Sequence, residues 1–209
     1  MTQQMNLRVH HLNRSRSQRI LWLLEEIEAD YDIVYYTRDK TTNLAPPELA
    51  NVHPLGKAPM MEIDGRLVVE SAAICEIICA RLAPAMIPPS DSDAHITHLE
   101  LMHFAEGSVM TPILLGLYVG TLGDAGGPLL PRIKQQLDSH FSYMEKMLRP
   151  SGHYVQDSLS VADIMLSFPA EVAMRQNRAA DFPQLAKFVE EMQGRPAYQR
   201  ALVRGKAPD

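Results

Sequence analysis

The first carboxylate in this chain is Glu25; the 24 residues before it contain none. The gap is local, because the chain as a whole is acidic, with a formal net charge of −5 at pH 7 and a pI near 5.9. That balance argues against general binding to nucleic acid or to an anionic membrane. Cysteine is scarce: Cys75 and Cys79 are the only two. Two thiols are too few for a structural zinc site, and their spacing is not that of a C-x-x-C redox pair. On a helix, i and i+4 share one face, where both serve as small hydrophobes. Long apolar runs are missing too. The most apolar stretch, "VMTPILLGLYVG", is too short to span a bilayer and contains Pro112. The N-terminus lacks the charged-then-apolar layout of a signal peptide, so a cytoplasmic protein is expected. There is no internal repeat and no low-complexity tract. What is there, 46% hydrophobic and 22% charged over 209 residues, suits a globular protein of one large or two small domains.

Residues 1–83 alternate strand and helix patterns. "NLRVH" alternates Leu7 and Val9 with polar neighbours, as a half-buried strand does. "RILWLLEEIEA" follows with Ile20, Leu23, Leu24 and Ile27 on one helical face. "YDIVYYT" is a second strand, rich in β-branched and aromatic residues. "PMMEIDGRLVVE" reads as a hairpin around Asp64-Gly65, and Ser71 is placed to cap the helix "SAAICEIICARLA". The proline-rich stretch 84–92 is a linker. Residues 93–209 show helix signals only. A long helix runs from residue 93 with a disturbance expected at Pro112, and an amphipathic helix and two short closing helices follow. "LSVADI" sets Ser160 and Asp163 as a capping box with Leu159 and Ile164 as its hydrophobic staple, a structural motif. His95, His98 and His103 read as polar-face residues of the long helix, not as metal ligands.

"HHLNRSRSQRILWLLEE" holds the densest chemistry. A helix N-terminus presents free N–H groups and the positive end of a dipole. Arg14, Arg16 and Arg19 add to that field, and Ser15 and Ser17 offer hydroxyls, so the place favours an anion. The plainer reading, a serine cap with solvated arginines, is equally open from this segment alone. In "NVHPLGKAPMMEIDG", Pro59 stands before a strand. It is either an ordinary strand-start proline or a cis residue leaving the Ala58 backbone to pair with an extended ligand. Glu70-Ser71, at a strand-to-helix junction, is either a simple cap or a holder of an α-amino group and a carboxylate. His10 and His11 read as packed or solvated.

Taken in order, "SRSQRILWLLEE", "PLGKAPMMEIDG", "ESAAI", the proline-rich linker and "SVADI" resemble the cytosolic glutathione transferases over nearly the whole chain. The resemblance is nearest to the bacterial and fungal transferases with this type of first helix. It implies an α/β plus all-α architecture. A thioredoxin-like glutathione-binding domain (1–83) would precede a linker (84–92) and an all-helical domain carrying the second-substrate site (93–209). It implies a homodimer serving detoxification, with glutathione as co-substrate and neither metal nor other cofactor. Ala58, before cis-Pro59, would pair through its backbone with the cysteinyl part of glutathione. Glu70 and Ser71 would hold the γ-glutamyl end, and Lys57 would lie near the glycyl carboxylate. Phe104, Ser108, Met110 and Tyr118 would line a hydrophobic pocket between the domains.

The implied chemistry is nucleophilic attack by a stabilised thiolate on a small hydrophobic electrophile. A free cysteine thiol has a pKa near ~8.5, so only roughly 3% is ionised at pH 7. Lowering it by about two units requires about 2.7 kcal/mol of differential stabilisation, the size of a hydroxyl hydrogen bond plus a helix terminus. The resemblance implies an activating tyrosine, serine or cysteine near the first strand; no tyrosine stands between Met1 and Ala29 and no cysteine lies in the loop, and Ser15, which matches the serine in "SR-x-x-R", is its first candidate. Ser17, Asn13 and Arg16 stay as alternatives. Glutathione-dependent peroxide reduction and a non-catalytic glutathione-binding or interaction module are the other functions open to this sequence.

Overall fold

Leu7 and Val9 face the core of β1 (Leu7–Leu12), and from Val9 onward every residue of the strand is buried. The strict alternation expected of the sequence fades because β1 is a central strand. In the sheet order β2-β1-β3-β4, it lies between β2 (Asp32–Tyr36), which it pairs in parallel, and β3 (Met60–Ile63), which it pairs antiparallel. β4 (Arg66–Val69) closes the sheet through a two-residue hairpin in which Ile63 pairs with Arg66. Asp64 (φ 51°) and Gly65 (φ 80°) both take positive φ, as that turn requires. The computed structural model describes residues 5–207, which form two compact units, 5–84 with 193–207 and 85–192.

In the first unit, α1 (Ser17–Glu26) connects β1 to β2, and a short α2 (Glu48–Val52) forms within the stretch read as irregular. α3 (Ser71–Leu82) follows β4. This is a thioredoxin-like arrangement. Ile74, Cys75, Ile78 and Cys79 form the buried face of α3, so both thiols lie inside, unbridged. α1 is not buried on one face only: Arg19 through Glu25 are all inside. The cause is α9 (Pro196–Arg204), which packs on α1. Trp22 meets Tyr198 edge to face at 5.3 Å, Arg200 donates to Glu25 at 2.8 Å, and Arg195 grips Glu26. The sequence pattern alone places these last residues with the other helices after residue 92.

The second unit is helical: α4 (Asp93–His103), α5 (Met110–Gly120), α6 (Leu130–Met147), α7 (Val161–Arg175) and most of α8 (Pro183–Gly194). The expected break in the long helix occurs one turn before Pro112. A π-turn spans Phe104–Ser108, closed by the Val109 N–H on the Phe104 carbonyl at 3.0 Å. Proline 112 has no N–H to give to Ser108, so the ladder is interrupted where that carbonyl lies. His98 is buried, not on a polar face, and stacks on His95 at 5.6 Å. At α7, the fully buried Asp163 carboxylate accepts from the Ser160 N–H (2.6 Å) and the Ser160 hydroxyl (2.7 Å). It also takes the Tyr154 N–H (2.8 Å), so the box anchors the preceding loop as well as the helix. Among the described residues, no helix is long and apolar enough to cross a membrane.

Candidate active site

Strand register gathers the segments singled out in the sequence. His10 pairs with Met60, and Met60 pairs with Val69. The end of β1, the start of β3 and the end of β4 therefore lie side by side at one edge of the first unit. The loop 13–16, the Ala58–Pro59 bond and Glu70-Ser71 continue from those three strand ends. Beneath them, Leu12, Leu49 and Met60 form a buried cluster with Ala58 and Val69 packed against it.

The loop between β1 and α1 is held by its own polar groups. Asn13 is committed to structure: its side-chain oxygen accepts from the Arg38 N–H at 2.9 Å and its carbonyl from Arg38 Nε at 3.2 Å. Arg14, at φ 51° and exposed, donates to Asn43. Arg16 is half-buried at the N-cap and makes no side-chain cap. The helix begins at Ser17, later than the sequence suggests, and its first amides are already engaged. Ser17 N–H meets Ser15 Oγ at 3.2 Å, Gln18 N–H meets the Ser15 carbonyl, and Arg19 N–H meets the Arg16 carbonyl. The N–H groups of residues 17–19, expected to be free, are thus taken up by the tight turn.

The two serines are not equivalent. Ser17 is fully buried. Its Oγ lies 2.7 Å from Ser15 Oγ and 2.8 Å from His11 Nδ1, and it receives the Leu12 N–H at 3.2 Å. It is saturated within the protein. Ser15 retains a 7% exposure and is the outer member of the pair. His11 is itself buried. Burial pushes its pKa below the ordinary histidine value, and a hydrogen bond to the Gly205 carbonyl pulls partly back. The sequence alone reads His11 as packed or solvated. What it misses is that the turn 13–16 folds α1 back, so that residues 11 and 17 meet. His10 is different: its ring spans Tyr36 (3.0 Å) and Glu62 (3.0 Å), tying β1 to both neighbours.

Ala58–Pro59 is cis, with Ala58 half-buried, Pro59 buried and Lys57 exposed. Ser71 is buried as the first residue of α3 and does not cap it; Glu70 takes the cap position without a side-chain bond. Glu70 has φ 70° and ψ 121°, a backbone state costly for any residue but glycine. Its side chain is exposed.

The residues expected around a second substrate separate. Phe104 and Ser108, on the π-turn, line a cavity of about 720 Å³ in the helical unit, with His103, Ser139, His140 and Tyr143. Phe104 stacks on His140 (5.6 Å) and meets Tyr143 edge-on (5.1 Å). Met110 is 3% exposed and part of the core, while Tyr118 is 63% exposed; neither lines this cavity.

Residues 5–79 match the family "Glutathione S-transferase, N-terminal domain", and residues 131–200 match "Glutathione S-transferase, C-terminal domain". The chain is 28% identical to Glutathione S-transferase 1 of Saccharomyces cerevisiae, over 96% of each protein. It is 29% identical to Glutathione S-transferase 3 of Schizosaccharomyces pombe, over 90% of this chain and 84% of that one. Among solved structures, a glutathione S-transferase from Actinobacillus pleuropneumoniae superposes with a TM-score of 0.86 at 29% identity, covering 95% of this chain and 92% of the other. The thioredoxin-like unit and the helical unit each match this family, and so the chain is a member of the cytosolic glutathione S-transferase superfamily.

Proposed function

We propose that this glutathione transferase binds glutathione at the edge formed by loop 13–16, Ala58–Pro59 and Glu70-Ser71, and that the Ser15 hydroxyl stabilises the thiolate. The carrying observation is the difference within the serine pair: Ser15 keeps a 7% exposure, whereas Ser17 has none and its hydroxyl is saturated. Asn13 drops behind because its oxygen is held by Arg38. In this reading Ala58 pairs through its backbone, Glu70 and Ser71 take the γ-glutamyl end and Lys57 faces the glycyl carboxylate.

Conjugation to a small hydrophobic electrophile is favoured over disulfide exchange, since the two cysteines are buried on α3. Phe104 and Ser108 are the proposed second-substrate residues, with Tyr143 and His140 replacing Met110 and Tyr118. The homodimer, the cytoplasmic setting and the detoxifying role carry over from the family. Ser15→Ala should lower turnover of an aryl halide by about 10²-fold while glutathione affinity changes little, the expectation when a donor acts on charge developed at the reacting atom. Unchanged turnover would rule Ser15 out. Activity on cumene hydroperoxide without activity on aryl halides would favour peroxide reduction instead.

A further inference from the structure

Ser15, Ser17 and His11 form a hydrogen-bonded file that runs from the protein edge inward. The spacings are 2.7 Å between the hydroxyls and 2.8 Å from Ser17 Oγ to His11 Nδ1. At its inner end the Gly205 carbonyl accepts from the imidazole. Nε2 is the ring atom on that side, 3.2 Å from where a Gly205 side chain would begin. The file has a direction. With Nε2 donating, a neutral ring has its lone pair at Nδ1. The Ser17 hydroxyl, within reach of the Leu12 carbonyl (3.2 Å) and of Nδ1 (2.8 Å), then gives its proton along the shorter contact to His11, and the Ser15 proton points to Ser17. At rest Ser15 therefore turns a lone pair outward, whereas a thiolate needs a hydrogen there.

Building on the reading that glutathione binds beside Ser15, we infer that His11 is a positioning residue: it takes up the thiol proton through the two serines and thereby turns the Ser15 hydroxyl toward the sulfur. The step balances. The S–H bond of glutathione breaks, its electron pair stays on sulfur, and its proton joins Ser15 Oγ. The former Ser15 proton passes to Ser17 Oγ, and the former Ser17 proton to His11 Nδ1. Both serines end neutral with reversed hydroxyls, His11 ends as imidazolium, and Ser15 donates to the thiolate. After the sulfur is alkylated, the proton returns along the same path to solvent.

Burial keeps the free imidazole below its ordinary pKa, so it waits as an acceptor. The groups facing the ring are Ser17 of α1, the Gly205 carbonyl after α9, and Tyr35 of β2. Tyr35 stands edge-on at 6.4 Å with its hydroxyl donating to the Arg204 carbonyl. None of these is a carboxylate, so none holds the ring protonated before the thiol arrives.

The test uses the full chain with glutathione and an aryl halide. In His11→Asn the side-chain amide still reaches Ser17 but takes no proton. We expect glutathione affinity within about threefold of the parent, with the ultraviolet titration of the bound thiol and the acidic limb of kcat/KM both raised by about one pH unit. Ser17→Ala, which cuts the file, should shift the same limb. Unmoved titrations in both variants would overturn the relay and leave Ser15 acting alone. If the variants fail to fold, stopped-flow formation of the thiolate by the parent in mixed light and heavy water decides: a curved dependence on deuterium fraction supports several protons moving together, and a straight line overturns the relay. A parent that binds no glutathione, or binds it with an ordinary thiol pKa, overturns the proposed function itself and is distinguished by needing no variant.

Discussion

Replacing Glu70 by glycine should stabilise the protein and weaken its hold on glutathione at the same time. Glu70 sits at φ 70° and ψ 121° between β4 and α3. A non-glycine residue held in such a region costs on the order of 1–3 kcal/mol. Its carboxylate is exposed and makes no hydrogen bond or ion pair among the described residues, so truncation loses little packing. Glycine removes the strain but frees the unfolded chain, at a cost of roughly 0.5–1 kcal/mol. The net gain is about 1 kcal/mol, or ~2–4 °C in melting temperature for a chain of this size. If the carboxylate holds the γ-glutamyl ammonium, its loss removes a charge-assisted hydrogen bond of about 1.5–3 kcal/mol. The dissociation constant should then rise roughly tenfold to a hundredfold. Thermal melts and titration calorimetry on parent, Glu70→Gly and Glu70→Gln separate the effects, because glutamine keeps the strained backbone and removes only the charge. A Glu70→Gly protein that melts lower, or binds glutathione as tightly as the parent, would refute the argument.

Asp163→Ala should cost at least about 3 kcal/mol in denaturant unfolding, since it leaves the Ser160 and Tyr154 N–H groups buried without their acceptor. Glu25 is pushed up by burial, but hydrogen bonds from Arg200, Tyr31 and Arg204 outweigh that and hold its carboxyl below the usual range. The resulting stabilisation is present above the unfolded carboxyl pKa and lost as pH falls through the folded value. The melting-temperature gap between parent and Glu25→Gln should therefore close below about pH 4. Burial first, and the nearby Glu76 second, push the Cys79 thiol up to about 12. Iodoacetamide should leave native turnover untouched, and rapid loss of activity would contradict the buried-thiol assignment. A Cβ on Gly205 would stand 3.1 Å from the Ala201 carbonyl, 3.1 Å from Gln18 Oε1 and 3.2 Å from His11 Nε2. Gly205→Ala should lower the melting temperature by a few degrees and disturb turnover through the histidine, as overpacking of about 1–3 kcal/mol does.

Local chemistry was legible in the sequence and distant packing was not. Asp64-Gly65 named its own turn because few residue pairs take two positive φ values. Ser160 and Asp163 named a cap because four consecutive residues suffice to close it. The proline-rich linker and the strand-to-helix order needed only neighbours along the chain. The burial of α1 on more than one side depends on α9, some 170 residues later, and no periodicity within "RILWLLEEIEA" announces a second partner. The same holds for His98, whose spacing fits a polar stripe and whose burial is decided by the helices around it. The π-turn at Phe104–Ser108 was anticipated in kind but misplaced by a turn, because a proline disrupts the carbonyl it cannot reach and not its own position. Of the site, the segments were readable and the difference between Ser15 and Ser17 was not. That Ser17 is fully enclosed and Ser15 keeps some exposure is settled by where His11 and Leu12 stand, across a four-residue turn.

If the thiolate lies beside Ser15 as proposed, the absence of carboxylates before Glu25 has a physical reason beyond sparing an anion. A unit negative charge 4 Å from a thiolate, at an effective dielectric constant near 20, raises its energy by about 4 kcal/mol. That is roughly three pKa units, more than the two needed to bring a thiol into ionisation at neutral pH. A carboxylate in loop 13–16 would cancel the work of the serine, and one beside His11 would hold the imidazole protonated and close the path inward. If glutathione binds beside Ser15, the charge pattern of this segment and the hydroxyl file from Ser15 to His11 serve the same end. On the proposed reading, loop 13–16 stays free of carboxylates until the sulfur supplies a negative charge, and the proton it gives up has an uncharged place to go.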